Sequence, residues 1–203
     1  QIVHRMHFSS QLSYTPFNIT KSMKIYFLGI SGTFMGNLAQ IARALGHEVT
    51  GCDAKVYPPM SDELNSSGIN FFQGYEEKNF ADADMYVIGN AISKENILLK
   101  QILRLEKKII SGPEWLYKNV LFNKKVIAVS GTHGKTTVTS MIAHSLVDNN
   151  YDPNYLIAGI PKKLQKSWNI SNNEIFVIEA DEYDTSYFDK RPKFIHYHPS
   201  ILL

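Results

Sequence analysis

Three stretches of this sequence carry residue types and spacings that could do chemistry, and the chemistry of all three is that of phosphate. The first is Val126-Ile-Ala-Val-Ser-Gly-Thr-His-Gly-Lys-Thr-Thr137, an apolar run, a turn with two glycines, and a lysine with two threonines opening a helical pattern. Glycines in such a turn let successive backbone N–H groups face phosphate oxygens. A lysine there reaches β- and γ-phosphates, and a following threonine hydroxyl suits a Mg2+ shell. Gly131, Thr132, His133, Gly134, Lys135, Thr136 and Thr137 are therefore the candidate nucleotide loop, with Thr136 on the metal. The loop is shorter than the usual G-x-x-x-x-G-K-[ST], because Val129 rather than glycine stands five residues before Gly134. A Gly-Lys-Thr alone is a common surface turn; a strand before it and a helix after it are not.

The second stretch, Glu174-Ile-Phe-Val-Ile-Glu179-Ala-Asp181-Glu182-Tyr-Asp184, is an apolar run that ends in carboxylates, and six of the 19 acids lie between Glu174 and Asp189. A carboxylate at the end of a strand beside a phosphate loop is where such folds hold Mg2+, directly or through water. Glu179 is the leading candidate, with Asp181 or Glu182 beside it, while Glu174 and Asp189 read as solvated acidic surface. Lys135 and Glu179 are the residues expected to act on the reacting phosphate.

The third stretch, Leu28-Gly29-Ile30-Ser31-Gly32-Thr33-Phe34-Met35-Gly36, joins a strand to a helix, and Asp53 follows at the end of the next strand. Glycines for the turn and an acid where a ribose or base would lie follow dinucleotide-fold logic. The spacing is G-x-x-G-x-x-x-G, so a nicotinamide enzyme is disfavoured while a nucleotide ligand is retained. Cys52 has no base near it in sequence and reads as a small core residue. His196 and His198 share a face of the strand expected over Lys193–Tyr197, but lack a third metal ligand. Tyr183, Tyr187, Phe188 and Phe194 read as core or loop anchors, without the basic stripe that single-strand binding needs.

The elements that must position these residues alternate short apolar runs with helical periodicity, the pattern of a parallel sheet covered by helices. Strands are expected at Lys24–Leu28, Glu48–Gly51, Asn70–Phe72, Met85–Ile88, Lys108–Ile110, Lys125–Val129, Tyr155–Ala158, Ile175–Ile178 and Lys193–Tyr197. Met35, Leu38, Ala39, Ala42 and Leu45 mark one helix, with Gly46 as its stop. Ile97, Leu98, Ile102 and Leu105 mark a second, and Val138, Met141, Ile142 and Leu146 a third, each stripe read as core packing. Ser111-Gly-Pro113 followed by Glu114–Leu121 looks like a linking helix, which puts a domain boundary near Phe122.

Composition bounds the rest. The 203 residues are 44% hydrophobic and 20% charged, with one cysteine, so the chain is globular and has no internal disulfide. No run is long enough to span a membrane. Residues 1–22 carry Arg5, Lys21 and no acid, and the remainder holds 19 bases against 19 acids, so the slight excess of basic charge belongs to the tail. Neither nucleic acid nor a membrane is an expected partner. The tail lacks the apolar core of a secretory signal and reads as upstream read-through or an added segment.

Together these residues resemble the Mur ligase superfamily. Gly131-Thr-His-Gly-Lys-Thr-Thr137 marks the superfamily, and Gly32-Thr-Phe-Met-Gly36, Val56-Tyr-Pro-Pro-Met-Ser61, Gly89-Asn-Ala91, Ser111-Gly-Pro-Glu-Trp-Leu116 and Glu179-Ala-Asp-Glu-Tyr-Asp184 narrow it. Phe188-Asp-Lys-Arg-Pro-Lys-Phe-Ile-His-Tyr-His-Pro199 is similar to the branch that returns murein tripeptide to UDP-N-acetylmuramate in cell-wall recycling. The resemblance implies an α/β fold: a Rossmann-like UDP-sugar-binding domain over 23–122, then an incomplete P-loop-type ATPase domain over 123–203. It implies ATP and Mg2+ as cofactors, a bacterial cytoplasmic location, and a UDP-sugar cradle at Gly29, Ile30, Ser31, Gly32, Thr33, Phe34, Met35 and Gly36, with Asp53 as a uridine or ribose contact. The L-alanine-adding branch and a non-catalytic nucleotide-binding module are the alternatives. Because the chain stops before the rest of the ATPase domain and the third domain of such ligases, it is expected to be inactive as a ligase by itself.

Overall fold

The computed structural model describes residues 21–182 and 184–203. The tail expected over 1–22 lies outside the described residues except for Lys21 and Ser22, as does Tyr183. The described chain forms two compact units.

The first unit runs to Trp115 and takes in Asp184–Arg191. Its elements are β1 (Lys24–Leu28), α1 (Thr33–Ala44), β2 (Glu48–Asp53), α2 (Met60–Ser66), β3 (Asn70–Gln73), β4 (Met85–Ile88), α3 (Ile97–Arg104), β5 (Ile109–Ser111) and α4 (Gly112–Leu116), whose last residue falls in the second unit. All five strands are parallel, in the order β3-β2-β1-β4-β5. β1 is central and buried from Ile25 to Leu28, which explains its unbroken apolar run. The order reverses between β1 and β4, the place where open α/β sheets leave a crevice for ligands, and Gly29–Gly36 stands at its mouth. α1 ends as its sequence predicts: Gly46 takes φ +91°, and its N–H and that of His47 bond back to Arg43 and Ala42. The Asn96 side chain caps α3 by accepting from Leu99 N at 3.0 Å. Beneath the sheet, Tyr26, Leu28, Cys52, Tyr86, Ile88, Leu98, Leu99 and Ile102 form a dry cluster onto which Tyr75 and Tyr187 pack. Burial pushes the Cys52 thiol up to about 12, in keeping with its reading as a core residue.

The second unit holds β6 (Lys125–Val129), α5 (Lys135–Asp148), β7 (Asn154–Leu156), β8 (Trp168–Asn169), β9 (Ile175–Glu179), α6 (Lys193–Tyr197) and β10 (Ile201–Leu202). The order is β10-β6-β9-β7-β8, parallel except for β8. Val129 and Glu179 are register partners across β6 and β9, so the acid stands level with the start of the phosphate loop.

By contacts the chain passes from the first unit to the second after Trp115, which is 1% exposed and packs edge-on to Phe27 and His47, within the helical stretch that was expected to link the two. Three differences from the sequence reading have physical causes. Lys193–Tyr197 is a helix, not a strand: Pro192 enters with φ −59°, His198 ends it with φ 45°, and β10 takes the place beside β6. α5 meets its sheet through the buried Thr139 and Ala143 together with Ile142 and Leu146 of the expected core stripe, while Val138 and Met141 of that stripe are exposed. Asp189 is not solvated: it is buried and takes a bidentate contact from Arg191 at 2.9 and 2.8 Å.

Candidate functional site

β6 delivers the chain to the phosphate loop. Gly134 takes φ +81° and hands over directly to α5, a left-handed step that favours glycine. Among the described residues, the backbone N–H groups of Gly131 through Thr137 meet no acceptor, whereas the preceding Ser130 N–H bonds to Leu203 O at 2.7 Å. Seven consecutive uncommitted donors at the start of a helix form an anion nest. Lys135 folds back over it, donating to Gly131 O at 2.7 Å with its Nζ 3.7 Å from Asp181 Oδ1. Thr132, His133 and Thr137 stand exposed on the rim.

Glu179 reaches the loop from the neighbouring strand. Its Oε2 accepts from Thr136 Oγ1 at 2.8 Å, and its Oε1 accepts from Ala158 N. Glu182 Oε1 accepts a long bond, 3.4 Å, from Ser130 Oγ, and Asp181 Oδ2 accepts from Lys193 Nζ at 2.6 Å. The described residues contain no group of three His, Cys, Asp or Glu side chains able to hold a metal ion. A paired hydroxyl and carboxylate instead suit Mg2+, which keeps waters and completes its shell with phosphate oxygens. Behind the site, Tyr197 is fully buried with no hydrogen-bond partner for its hydroxyl. Burial, with Asp181 and Glu179 nearby, holds its phenol well above the ordinary value, so it stays a neutral hydroxyl.

The glycine loop of the first unit is built differently. Gly29 takes φ +90°, and its N–H and that of Ile30 both donate to Cys52 O at 2.8 and 3.1 Å. Ser31 donates to Asp53 Oδ2 through its N–H at 2.8 Å and its Oγ at 2.6 Å. Asp53 Oδ1 accepts from Ala54 N at 2.7 Å and Tyr75 OH at 2.8 Å. Four donors of its own chain thus occupy a carboxylate that offers about four acceptor positions. The residue expected to contact ribose ties the loop to the end of β2. Ile30 and Met35 are buried and Gly36 lies under Met60, where a Cβ would come within 2.2 Å of Sδ. Gly32 and Thr33 are exposed, and Ser31 and Phe34 are half-buried. Tyr75 was missed by sequence reasoning, and no spacing signal marks it. Nor do the histidines pair on a strand face: His196 is buried on α6, and His198 follows it with its ring 4.5 Å from that of Tyr117.

The model of the Mur ligase family, catalytic domain, matches residues 24–123. The chain is 47% identical over 182 residues to UDP-N-acetylmuramate–L-alanyl-gamma-D-glutamyl-meso-2,6-diaminoheptandioate ligase of Escherichia coli (strain K12), covering 89% of this chain and 40% of that protein. It is 36% identical over 171 residues to UDP-N-acetylmuramate–L-alanine ligase of Rubrobacter xylanophilus, covering 84% of this chain and 38% of that protein. Among solved structures, UDP-N-acetylmuramate:L-alanyl-gamma-D-glutamyl-meso-diaminopimelate ligase from Neisseria meningitides superposes with TM-score 0.85 at 45% identity, over 90% of this chain and 60% of that one. The chain spans about 40% of the length of the curated relatives it matches. No helix among the described residues is long and apolar enough to cross a membrane. Parallel α/β units of this order, the match over the first and the identity across both place the chain in the Mur ligase family.

Proposed function

We propose that these residues belong to an ATP-dependent ligase that joins the murein tripeptide L-Ala-γ-D-Glu-meso-diaminopimelate to UDP-N-acetylmuramate. The nest of seven free N–H groups at Gly131–Thr137 carries the nucleotide half of this reading. In the reaction, the γ-phosphoryl group of ATP passes to the lactyl carboxylate of UDP-N-acetylmuramate, releasing ADP. The tripeptide amine then attacks the acyl phosphate, and inorganic phosphate leaves as the amide forms. Lys135 swings from Gly131 O to the β- and γ-phosphates, and the loop N–H groups hold their oxygens. Thr136 and Glu179 would hold Mg2+, which neutralises the charge that develops on the transferred group. Gly32, Thr33 and the half-buried Ser31 and Phe34 form the rim available to the UDP-sugar. An ATP-dependent reaction needs the compartment that holds ATP, and the cytoplasm is the location proposed for it.

Two observations favour tripeptide over free L-alanine as the amine: the higher identity to the tripeptide-adding relative, and a close structural match to a second such enzyme. The test is phosphate release by the product of the full reading frame, with UDP-N-acetylmuramate and either amine. Tripeptide-dependent turnover is expected; turnover with L-alanine alone would transfer the assignment to the other branch, and binding without turnover would leave a nucleotide-binding module.

A further inference from the structure

The second unit places two lysines on one carboxylate, and they are held very differently. Asp181 Oδ1 lies 3.7 Å from Lys135 Nζ, while Oδ2 accepts from Lys193 Nζ at 2.6 Å. Lys193 is 8% exposed, a depth at which lysine is rarely found unless paired. Its backbone N–H also donates to Asp181 O at 3.3 Å, so Lys193 is fastened to the same residue twice. Lys135, by contrast, makes its short bond to a carbonyl, Gly131 O at 2.7 Å, and touches the carboxylate only at long range. One amine is fixed to Asp181 and the other is free to leave it.

We propose that Lys193 is a positioning residue of the nucleotide site: it neutralises Asp181 permanently, so that Lys135 can move to the phosphates of a nucleoside triphosphate without stranding a charge. The proposal rests on the reading of Gly131–Thr137 as the ATP loop. Without Lys193, the whole charge of Asp181 falls on Lys135, and the 3.7 Å approach closes to a direct ion pair. A phosphate would then compete with a carboxylate for the same amine. Drawing that amine away would leave a partly buried acid unpaired, a strongly unfavourable state. Lys193 itself touches no phosphate; it acts through Asp181.

The test is a double-mutant cycle in the product of the full reading frame, with affinities for ATP and inorganic tripolyphosphate measured calorimetrically in EDTA so that no metal contributes. Lys193→Met is expected to weaken both ligands roughly tenfold. Lys193→Arg, which keeps the charge, should stay within about threefold, and Lys193→Met with Asp181→Asn should return to within about twofold of wild type. Asp181→Asn alone should bind no more weakly than wild type, which tests the idea even if Lys193→Met does not fold. A purely structural role for Lys193 predicts no recovery in the double variant. Unchanged affinity in Lys193→Met, a double variant no better than the single one, or weakened binding in Asp181→Asn would overturn the proposal. A wild-type chain that binds neither ligand would overturn the ATP reading together with it.

Discussion

Asp53→Asn separates two roles that a strand-end acid can have in this fold, ligand contact and loop tether. In the structure Asp53 Oδ2 takes two donors from Ser31, and Oδ1 takes Ala54 N and Tyr75 OH, all between 2.6 and 2.8 Å. An asparagine amide can present its oxygen to only one of these pairs. Its nitrogen then faces two donors, whichever way it is flipped. A hydrogen bond to a charged acceptor contributes about 1.5–3 kcal/mol, and the half-buried setting lets water recover part of that loss. Taking ~1 kcal/mol for each donor that loses its acceptor, and some weakening of the other two, gives about 2–3 kcal/mol. The assay is urea unfolding of the ligand-free chain followed by the emission of Trp115, which sits in the first core, in a Trp168→Phe background. Tyr75→Phe removes a single donor and should lose only about 0.5–1.5 kcal/mol in the same assay. If Asp53→Asn unfolds at the wild-type urea concentration without ligand, yet binds UDP-N-acetylmuramate weakly, the tether argument fails and the acid is a ligand contact after all.

Other perturbations test neighbouring features. Gly36→Ala pushes a Cβ to within 2.2 Å of Met60 Sδ and 3.0 Å of Ile30 O; it should destabilise the first unit by about 1–3 kcal/mol in the same unfolding assay. Thr136→Ala removes the hydroxyl beside Glu179, and should weaken binding of ATP with Mg2+ while leaving affinity in EDTA nearly unchanged, measured by calorimetry. Arg191→Met leaves the buried Asp189 carboxylate without its bidentate partner and should lower stability by about 2–4 kcal/mol in chemical unfolding. His47 is buried, accepts from Met23 N at Nδ1, and has its pKa lowered by desolvation below the ordinary 6.5. The unfolded chain therefore takes up the proton first, and stability of the first unit should fall as pH drops below about 6.5; His47→Gln should flatten that slope.

The sheet of the first unit was legible because its strands announce themselves in two ways. β1 from Ile25 onward and β4 throughout are buried, so they read as unbroken apolar runs, each followed by a glycine, Gly29 and Gly89. α1 shows both its stripe and its stop. The short elements were not legible: β8 and β10 have two residues each, and α2, although Gly68 (φ +67°) stops it as Gly46 stops α1, has seven residues and only Met60 and Leu64 buried to mark a stripe. Lys193–Tyr197 was misread because alternation over five residues fits a strand as well as one and a half helical turns, and only Pro192 spoke for the helix. The phosphate loop could be found from sequence because backbone geometry there depends on glycines at set positions. The residues that support it could not be found in this way. Lys193 and Tyr197 come to Asp181 and Glu179 through the fold of α6, and nothing in their spacing relates them to the loop.

The two glycine loops look alike in sequence and answer different requirements. At Gly131–Thr137 the backbone donors are left open, the anchoring lysine rests on a carbonyl it can abandon, and a carboxylate waits beside a hydroxyl. That arrangement awaits a polyanion and a cation that arrive together. At Gly29–Ser31 every backbone N–H is already committed, to Cys52 O or to Asp53, and the loop is held shut by its own chain. Its free donors begin one residue later, where α1 starts without a side-chain cap: the N–H groups of Gly32, Thr33 and Met35 meet no acceptor among the described residues, and Gly32 and Thr33 are exposed. Gly29–Gly36 has no lysine or arginine, so a ligand there meets backbone dipoles without the cation that Lys135 supplies to the other loop. Binding of UDP-N-acetylmuramate should accordingly be far less sensitive to salt than binding of ATP. Titrations of each ligand from low to high ionic strength measure this directly, and equal salt slopes would refute the contrast drawn between the loops.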